Sequence, residues 1–228
     1  MRLSLVHQIS FFMLLFPILL FGQSDRKLKY LALGDSYTIG ESVEFIDRFP
    51  VKLVNELRFK GMDVAMPEII AETGWTTDEL MTGIDIKLPG NGYDLVTLLI
   101  GVNNQYRGRD LRNYENEFES LLKRAIAFAK SNEKKVIVIS IPDYGVTPFG
   151  QKKGRKKIAK EIDLFNEANH KISKRYGVAY VDVTEISRKA YKCMNLIAED
   201  GLHPSGEMYT QWVERILPVA VGILQSSD

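Results

Sequence analysis

The stretch YLALGDSYTIG, residues 30–40, runs from an apolar segment directly into a glycine, an acid and a serine. Residues 30–33 have the composition of a buried strand, and Gly34, Asp35 and Ser36 stand at its end. A tight turn would account for these residue types, and so would a nucleophile presented at the edge of a sheet. Residues elsewhere in the chain distinguish these two interpretations.

Segments with strand character alternate with segments of helical periodicity from residue 28 onward. The predicted strands are residues 28–34, 69–71, 94–101, 135–141 and 178–183. The clearest helical stripe recurs at spacings of three and four: Leu111, Tyr114, Phe118, Leu121, Leu122, Ala125 and Phe128. Strands that alternate with helices favour parallel pairing with helices on both faces. We therefore predict an α/β protein, a three-layer α/β/α domain with about five parallel strands.

The N-terminus has the pattern of a secretory signal. Arg2 precedes an apolar run over residues 9–21, and Gly22 follows. The run is too short for a comfortable membrane span, so we expect no integral membrane segment after processing. The interpretation is a signal peptide over residues 1–22, a single domain over residues 23–228, and a periplasmic or extracellular location. An uncleaved anchor is the alternative.

Charge and cysteine content narrow the classes of partner. Without residues 1–22 the chain carries 29 basic and 29 acidic side chains, which gives no case for a nucleic-acid partner or an anionic membrane. Cys193 is the only cysteine, so neither an internal disulfide nor a cysteine-based zinc site is possible. We expect Cys193 to be a small buried residue.

Residues suited to acyl transfer stand at successive predicted strand ends. In open α/β sheets the ligand site lies beyond the carboxyl ends of the strands. Ser36 follows the first strand, and its hydroxyl needs a neighbouring base. His7 leaves with the signal, so the base is His170 or His203. His170 lies in a predicted helix, whereas His203 follows Asp200 by three residues, a spacing that lets the carboxylate orient the imidazole. A turn with an incidental histidine is the alternative.

The tetrahedral intermediate of acyl transfer needs hydrogen-bond donors that are already in place. The backbone N–H groups of Ser36 and Gly74 and the side-chain amide of Asn103 are candidate donors. Taken singly, each residue has a structural alternative: Gly74 could be a turn glycine, and Asn103 could be a turn or capping asparagine.

Four blocks in this order resemble the SGNH (GDSL-type) esterase and lipase family: Gly34-Asp35-Ser36-Tyr37, Gly74, Gly101-Val102-Asn103-Asn104 and Asp200-Gly201-Leu202-His203-Pro204. The resemblance spans residues 31–205. It implies a flavodoxin-like sheet, no cofactor and no metal. It also implies Ser36 as nucleophile, His203 as general base and acid, Asp200 as its orienting group, and an oxyanion hole of Ser36, Gly74 and Asn103. Tyr37 replaces the commoner leucine, and Asn104 stands where aspartate is usual.

The sequence predicts the substrate class less precisely than it predicts the catalytic residues. Residues 141–157 form an irregular segment from which Tyr144 and Phe149 could face an acyl or sugar group, and Trp75 could wall the same pocket. We expect an exported serine esterase that hydrolyses carboxylic esters of small molecules, lipids or carbohydrates, either lysophospholipase-like or acting on short acyl chains. Carbohydrate acetylesterase and acyl thioesterase activities fit the same residues. A non-catalytic sugar- or lipid-binding domain is the alternative from another class, and a metal-dependent hydrolase is a weaker one.

Overall fold

Five short, mostly apolar segments form the strands of a parallel sheet in the computed structural model, which describes residues 26–226. The strands are β1 Tyr30–Asp35, β2 Glu68–Glu72, β3 Leu95–Leu99, β4 Val136–Ile139 and β5 Ala179–Val181. The predicted signal peptide, residues 1–22, lies outside the described residues. The prediction of about five parallel strands is confirmed, although most strands are shorter than the apolar runs from which they were predicted.

The strand order is β2-β1-β3-β4-β5, and every neighbouring pair is parallel. All residues of β1, β3 and β4 are buried, as expected for strands covered on both faces. The chain adds β2 on one side of β1 and β3 on the other, so the direction of winding reverses between β1 and β3. The carboxyl ends of these two strands flank the crevice in which open α/β sheets bind ligands.

Helices cover both faces of this sheet. Their bounds are α1 Ser36–Ile39, α2 Phe49–Phe59, α3 Thr77–Lys87, α4 Val102–Tyr106, α5 Leu111–Phe128, α6 Pro148–Gln151, α7 Arg155–Arg175, α8 Thr184–Arg188 and α9 Gly206–Gln225. Helix α2 packs against α9, and α5 packs against α3 and α7. The architecture is therefore the predicted three-layer α/β/α arrangement.

The apolar stripe predicted for residues 111–128 is the buried face of α5. Tyr114, Phe118, Leu121 and Leu122 are at most 1% exposed. Asp110 caps the helix by accepting a hydrogen bond from the backbone N–H of Asn113. Burial of a large apolar side chain is worth roughly 1.5–3 kcal/mol, so this face stabilises α5 far more than its cap does.

Two expectations differ from the structure. Cys193 is exposed, not buried, because it lies in a surface segment between two 3₁₀ turns, Lys189–Tyr191 and Met194–Leu196. The segment at residues 141–157 contains more regular structure than expected: a 3₁₀ turn at Tyr144–Val146, then α6 and the start of α7. Among residues 26–226 no helix is long and apolar enough to cross a membrane.

Candidate active site

Ser36 is the first residue of α1, immediately after the last residue of β1. The abrupt change from strand to helix depends on Gly34, because a Cβ there would lie 2.1 Å from Oγ1 of Thr38 and 2.4 Å from the carbonyl oxygen of Leu99. Asp35 caps the single turn, and its Oδ1 accepts a hydrogen bond of 3.0 Å from the backbone N–H of Tyr37. Ser36 is 5% exposed and its own N–H lies in the first turn of a helix, where N–H groups have no intrahelical acceptor.

His203 and Asp200 form a close pair in the loop before α9. Nδ1 of His203 lies 2.5 Å from Oδ2 of Asp200, while Oδ1 of Asp200 accepts the backbone N–H groups of Leu202 and His203 at 2.9 and 3.0 Å. Partial burial raises the pKa of Asp200, but hydrogen bonds from His203, Leu202 and Ser42 outweigh it and bring this pKa to about 2. The carboxylate is thus ionised at neutral pH, and it favours the tautomer with the proton on Nδ1 and a free Nε2.

Tyr37 packs against the imidazole of His203, and Tyr209 holds Tyr37 in place. The ring of Tyr37 meets that of His203 edge-on, with the centroids 5.7 Å apart. The hydroxyl of Tyr209, from α9, donates a hydrogen bond of 3.0 Å to the carbonyl oxygen of Tyr37. Tyr37, the residue after Ser36, is therefore fixed to α9, the helix that follows His203.

The second and third blocks are joined by side chains from α4 and its end. Nδ2 of Asn103 donates a hydrogen bond of 2.9 Å to the carbonyl oxygen of Trp75, which leaves its other N–H available. Arg107 donates at 2.7 Å to the carbonyl oxygen of Gly74 and at 2.9 Å to Oε1 of Glu79. Gly74 has a φ of +86°, a conformation that favours glycine. These contacts fix the carbonyl groups of Gly74 and Trp75, directly after the N–H of Gly74 that is a predicted oxyanion donor.

Asn104, the departure from the usual aspartate, is fully buried and bonded on both sides of its amide. Its Oδ1 accepts the backbone N–H of Thr77 at 3.1 Å, and its Nδ2 donates to the hydroxyl of Thr77 at 2.7 Å. That hydroxyl in turn donates to Glu117. An ionised aspartate could not donate to Thr77, so asparagine suits this loop.

Ser36, Asn103 and His203 line one cavity of about 130 Å³. Its other lining residues are Tyr37, Val102, Tyr106, Tyr144, Phe149 and Leu202. Tyr144 and Phe149, which the sequence had singled out, therefore lie beside the predicted nucleophile and base. Within residues 26–226 the side chain of Ser36 makes no hydrogen bond to His203; in unliganded enzymes such contacts often tighten only when substrate is bound.

Three of the predicted site residues, Trp75, Gly74 and Asp200, do not line this cavity. The ring of Trp75 lies over Gly83 of α3, where an added Cβ would be 2.1 Å from it, and Trp75 is not among the lining residues. Gly74 also lies outside the lining set, and Asp200 stands behind His203. Trp75 packs on a helix because Gly83 leaves room for the indole.

Tyr106 is the lining residue that the sequence analysis missed. It is 46% exposed, and its ring centroid lies 6.1 Å from that of Tyr144 and 6.0 Å from that of Phe149. Tyr106 follows Asn103 by three residues on α4, and this spacing places the two side chains on one face of a helix. The helical spacing after the third block was the available signal.

Asp35 differs from Asp200 in its electrostatics. Burial raises its pKa to about 7, against the hydrogen bond from Tyr37 that lowers it, and its Oδ2 has no hydrogen-bond partner. A carboxyl group of this kind is partly protonated at neutral pH. Its hydrogen bond identifies it as the cap of α1.

The GDSL-like Lipase/Acylhydrolase family matches residues 32–211. No curated protein matches the chain. Among solved structures, TesA superposes with a TM-score of 0.69 at 17% identity, over 86% of this chain and 99% of that one.

Two further structures are similar over nearly the same part of the chain. Phospholipase A1 from Streptomyces albidoflavus has a TM-score of 0.62 at 19% identity, over 86% of this chain and 99% of its own. A variant of Axe2, an acetyl-xylooligosaccharide esterase from Geobacillus, has a TM-score of 0.63 at 18% identity, over 85% and 94%. At these identities the superpositions establish a common fold. The family match covers most of the chain, including the residues of all four blocks, and the chain belongs to the GDSL-like lipase/acylhydrolase family of ester-hydrolysing enzymes.

Proposed function

We propose that the protein is an exported serine esterase that hydrolyses carboxylic esters through an acyl-enzyme on Ser36. The observation that carries the proposal is the meeting of Ser36 and His203 on one cavity, with Asp200 bonded to the far side of the imidazole. This is the order of groups that activates a serine hydroxyl.

The reaction follows from those positions. Nε2 of His203 takes the proton of the Ser36 hydroxyl as Oγ bonds to the ester carbonyl carbon, and the carbonyl oxygen becomes an oxyanion. The imidazolium returns the proton to the alkoxy group as its bond to carbon breaks, and the alcohol leaves. A water molecule, deprotonated by His203, then attacks the acyl-enzyme, and the acid is released with Ser36 regenerated.

The oxyanion would be stabilised by the backbone N–H groups of Ser36 and Gly74 and by the free N–H of Asn103. The hydrogen bond from Asn103 to Trp75 supports this role because it fixes the amide before the reaction. Donors that need no reorganisation are worth most in such a site.

The aromatic walls of the cavity support an acyl group longer than acetate. Tyr106, Tyr144 and Phe149 form a cluster with centroid separations of 6.0–6.4 Å. Lys153 adds a positive charge at this wall, since its Nζ lies 5.1 Å from the Tyr106 centroid and 5.0 Å from that of Phe149. An ester with an apolar chain and a nearby anionic group, as in a lysophospholipid, suits this combination.

Covalent labelling tests the proposal without assuming a substrate. The purified protein would be treated with a fluorophosphonate and the adduct located by mass spectrometry. We expect an adduct on Ser36 that is lost in His203→Ala. A folded protein that binds acyl lipid or sugar but is not labelled would instead identify a non-catalytic binding domain. Hydrolysis series over thioesters, acetylated sugars and acyl esters of increasing length would then rank the substrates.

The intact mass of the same preparation tests export. We expect the protein recovered outside the cytoplasm to begin near residue 23, as cleavage after Gly22 requires. A protein that keeps residues 1–22 and sediments with membranes would instead identify an anchor.

A further inference from the structure

Ser42 lies six residues after Ser36, and its hydroxyl reaches the acid of the catalytic pair. Oγ of Ser42 donates a hydrogen bond of 2.9 Å to Oδ2 of Asp200. The same carboxylate oxygen lies 2.5 Å from Nδ1 of His203. The partners are 158 positions apart in the sequence, so this contact joins the loop after α1 to the loop before α9.

The backbone around Ser42 is held in an unusual conformation. Ser42 has a φ of +64°, a region that residues other than glycine, asparagine and aspartate adopt rarely. The turn before it is fixed, because the backbone N–H groups of Gly40 and Glu41 both donate to the carbonyl oxygen of Ser36, at 3.1 and 3.0 Å. A strained residue whose side chain meets a catalytic group points to a functional constraint.

The residue before Ser42 makes a second connection between the blocks. The carboxylate of Glu41 accepts a hydrogen bond from the hydroxyl of Thr73, which directly precedes Gly74. Glu41 and Ser42, two consecutive residues after α1, therefore bind two other parts of the site. Glu41 binds Thr73 beside Gly74, and Ser42 binds Asp200. These contacts hold Ser36, Gly74 and Asp200 at fixed positions relative to one another.

The hydrogen bonds of Asp200 show what Ser42 supplies. Oδ1 accepts two backbone N–H groups, from Leu202 and His203, and Oδ2 accepts Nδ1 of His203 and the hydroxyl of Ser42. Each oxygen thus has two donors. Side-chain donors to a carboxylate both orient its plane and share its charge.

We propose that Ser42 is a positioning residue of the reaction, which fixes the carboxylate of Asp200 and thereby aims the imidazole of His203 at Ser36. The proposal rests on the catalytic roles proposed above for those three residues. Two buried phenols lie close to the pair, Tyr37 and Tyr209. Burial raises the pKa of each well above 10, so neither titrates in the range in which a histidine base acts.

The test compares variants at this position in the purified full-length enzyme. Ser42→Ala removes the hydroxyl, Ser42→Gly removes it and also relieves the backbone, and Ser42→Asn keeps a donor on a residue that tolerates positive φ. We expect kcat/KM to fall about tenfold in the first two variants and to recover in the third, as for loss of one hydrogen bond to a charged group. Ser120→Ala is the matched control, because Ser120 is also exposed and its hydroxyl donates only to the backbone of α5.

The pH profile separates positioning from a structural role. Without Ser42 the carboxylate keeps more of its charge for the imidazolium, so the acid limb of kcat/KM should move to higher pH in Ser42→Ala. A kcat/KM within twofold of wild type, or a loss with an unmoved acid limb, would overturn the proposal. Ser36→Ala and His203→Ala are run in parallel. If they remain active, the proposed function itself fails; if they are inactive while Ser42→Ala keeps a kcat/KM within twofold of wild type, only this inference fails.

Discussion

Nδ1 of His203 lies 2.5 Å from Oδ2 of Asp200, and the other oxygen of that carboxylate is occupied by two backbone N–H groups of the same loop. Asp200 and His203 are thus held together by one short turn. The carboxylate is set by local backbone geometry before the substrate arrives. This placement determines which imidazole nitrogen is free for the proposed proton transfer.

Asp200→Asn should remove most of the activity while leaving the loop intact. The amide oxygen can still accept the N–H groups of Leu202 and His203, but its NH₂ would face Nδ1 and favour the wrong tautomer. In a Ser-His-Asp triad this change lowers kcat by about 10⁴-fold. We expect a fall of roughly 10³–10⁴-fold in kcat in a variant that still unfolds cooperatively, at a lower melting temperature because the stabilising charge of Asp200 is gone, measured by steady-state ester hydrolysis and thermal unfolding. A decrease under tenfold would contradict the assigned role of Asp200.

Asn103 and Asn104 offer a pair of neighbouring asparagines with different expected roles. Asn103→Ala removes the proposed oxyanion donor, and kcat should fall by roughly 10²–10³-fold with little change in KM. Asn104→Ala instead removes the buried amide bonded to Thr77, so the free energy of unfolding should fall by about 1–3 kcal/mol. Steady-state kinetics and urea unfolding on both variants check the assignment. Equal losses of kcat in two equally stable variants would contradict it.

The fold could be predicted from local patterns because the three central strands, β1, β3 and β4, are buried on both faces and read as continuous apolar runs. The stripe on α5 likewise has the spacing of a helix face. The ends were less accurate: the apolar run of residues 135–141 continues beyond the pairing of β4, which ends at Ile139. An apolar run predicts which residues are buried. The residue at which a strand ends depends instead on which backbone groups form hydrogen bonds with the neighbouring strand.

Candidate site residues could be predicted from the sequence where reactive residue types follow a predicted strand. Contacts between residues that are far apart in the sequence could not be predicted in this way. Ser36 and His203 were chosen as candidates from the residue types in short blocks, and the structure places both on one cavity. The contact of Ser42 with Asp200 was not predicted, because the two residues are 158 positions apart in the sequence. Trp75 was placed in the pocket because it follows Gly74, but the space over Gly83 gave its ring another site. Nothing in the residues next to Trp75 signals that space.

Tyr106 and Phe149 should affect the preference for acyl length. Their side chains form the wall of the cavity together with Tyr144, and truncation removes apolar contact with a long chain. We expect the double variant Tyr106→Ala, Phe149→Ala to lose about tenfold in kcat/KM for decanoyl esters but little for acetyl esters, since each buried CH₂ is worth about 0.8 kcal/mol. Phe59→Ala is a control, because Phe59 is 88% exposed and lies outside the cavity lining. A parallel loss at all chain lengths would contradict an acyl-binding role.

Lys153→Gln should weaken the use of anionic substrates. The ammonium group lies near two rings of the cavity wall, and an exposed pair of opposite charges, here Lys153 and the anionic group of a substrate, is worth about 0.2–1 kcal/mol. We expect KM for a lysophosphatidic acid to rise about three- to fivefold, with no change for an uncharged monoacylglycerol, and the difference to shrink at high salt. Lys156→Gln is the control, because Lys156 is also exposed and lies three residues further along the chain, in the first turn of α7. Equal effects of both variants would indicate a diffuse field instead of a contact at the cavity.

Asp35 should make the protein less stable as the pH rises toward neutrality. Its pKa is raised by burial to about 7, so between roughly pH 4 and 7 the folded state holds a proton that the unfolded state has released. Stability must therefore fall with increasing pH through that window. Asp200 has the opposite sign, since its lowered pKa of about 2 contributes stability above pH 4 that is lost only in stronger acid.

Urea unfolding of wild type and Asp35→Asn at pH 5 and pH 8 checks this. The variant keeps the oxygen that caps α1 and cannot ionise, so its stability should change less between the two pH values, by up to a few kcal/mol. Asp200 is ionised at both pH values and cancels from the comparison. Parallel pH dependences for the two proteins would show that Asp35 is already ionised in the folded state at pH 5, and the raised pKa would be wrong.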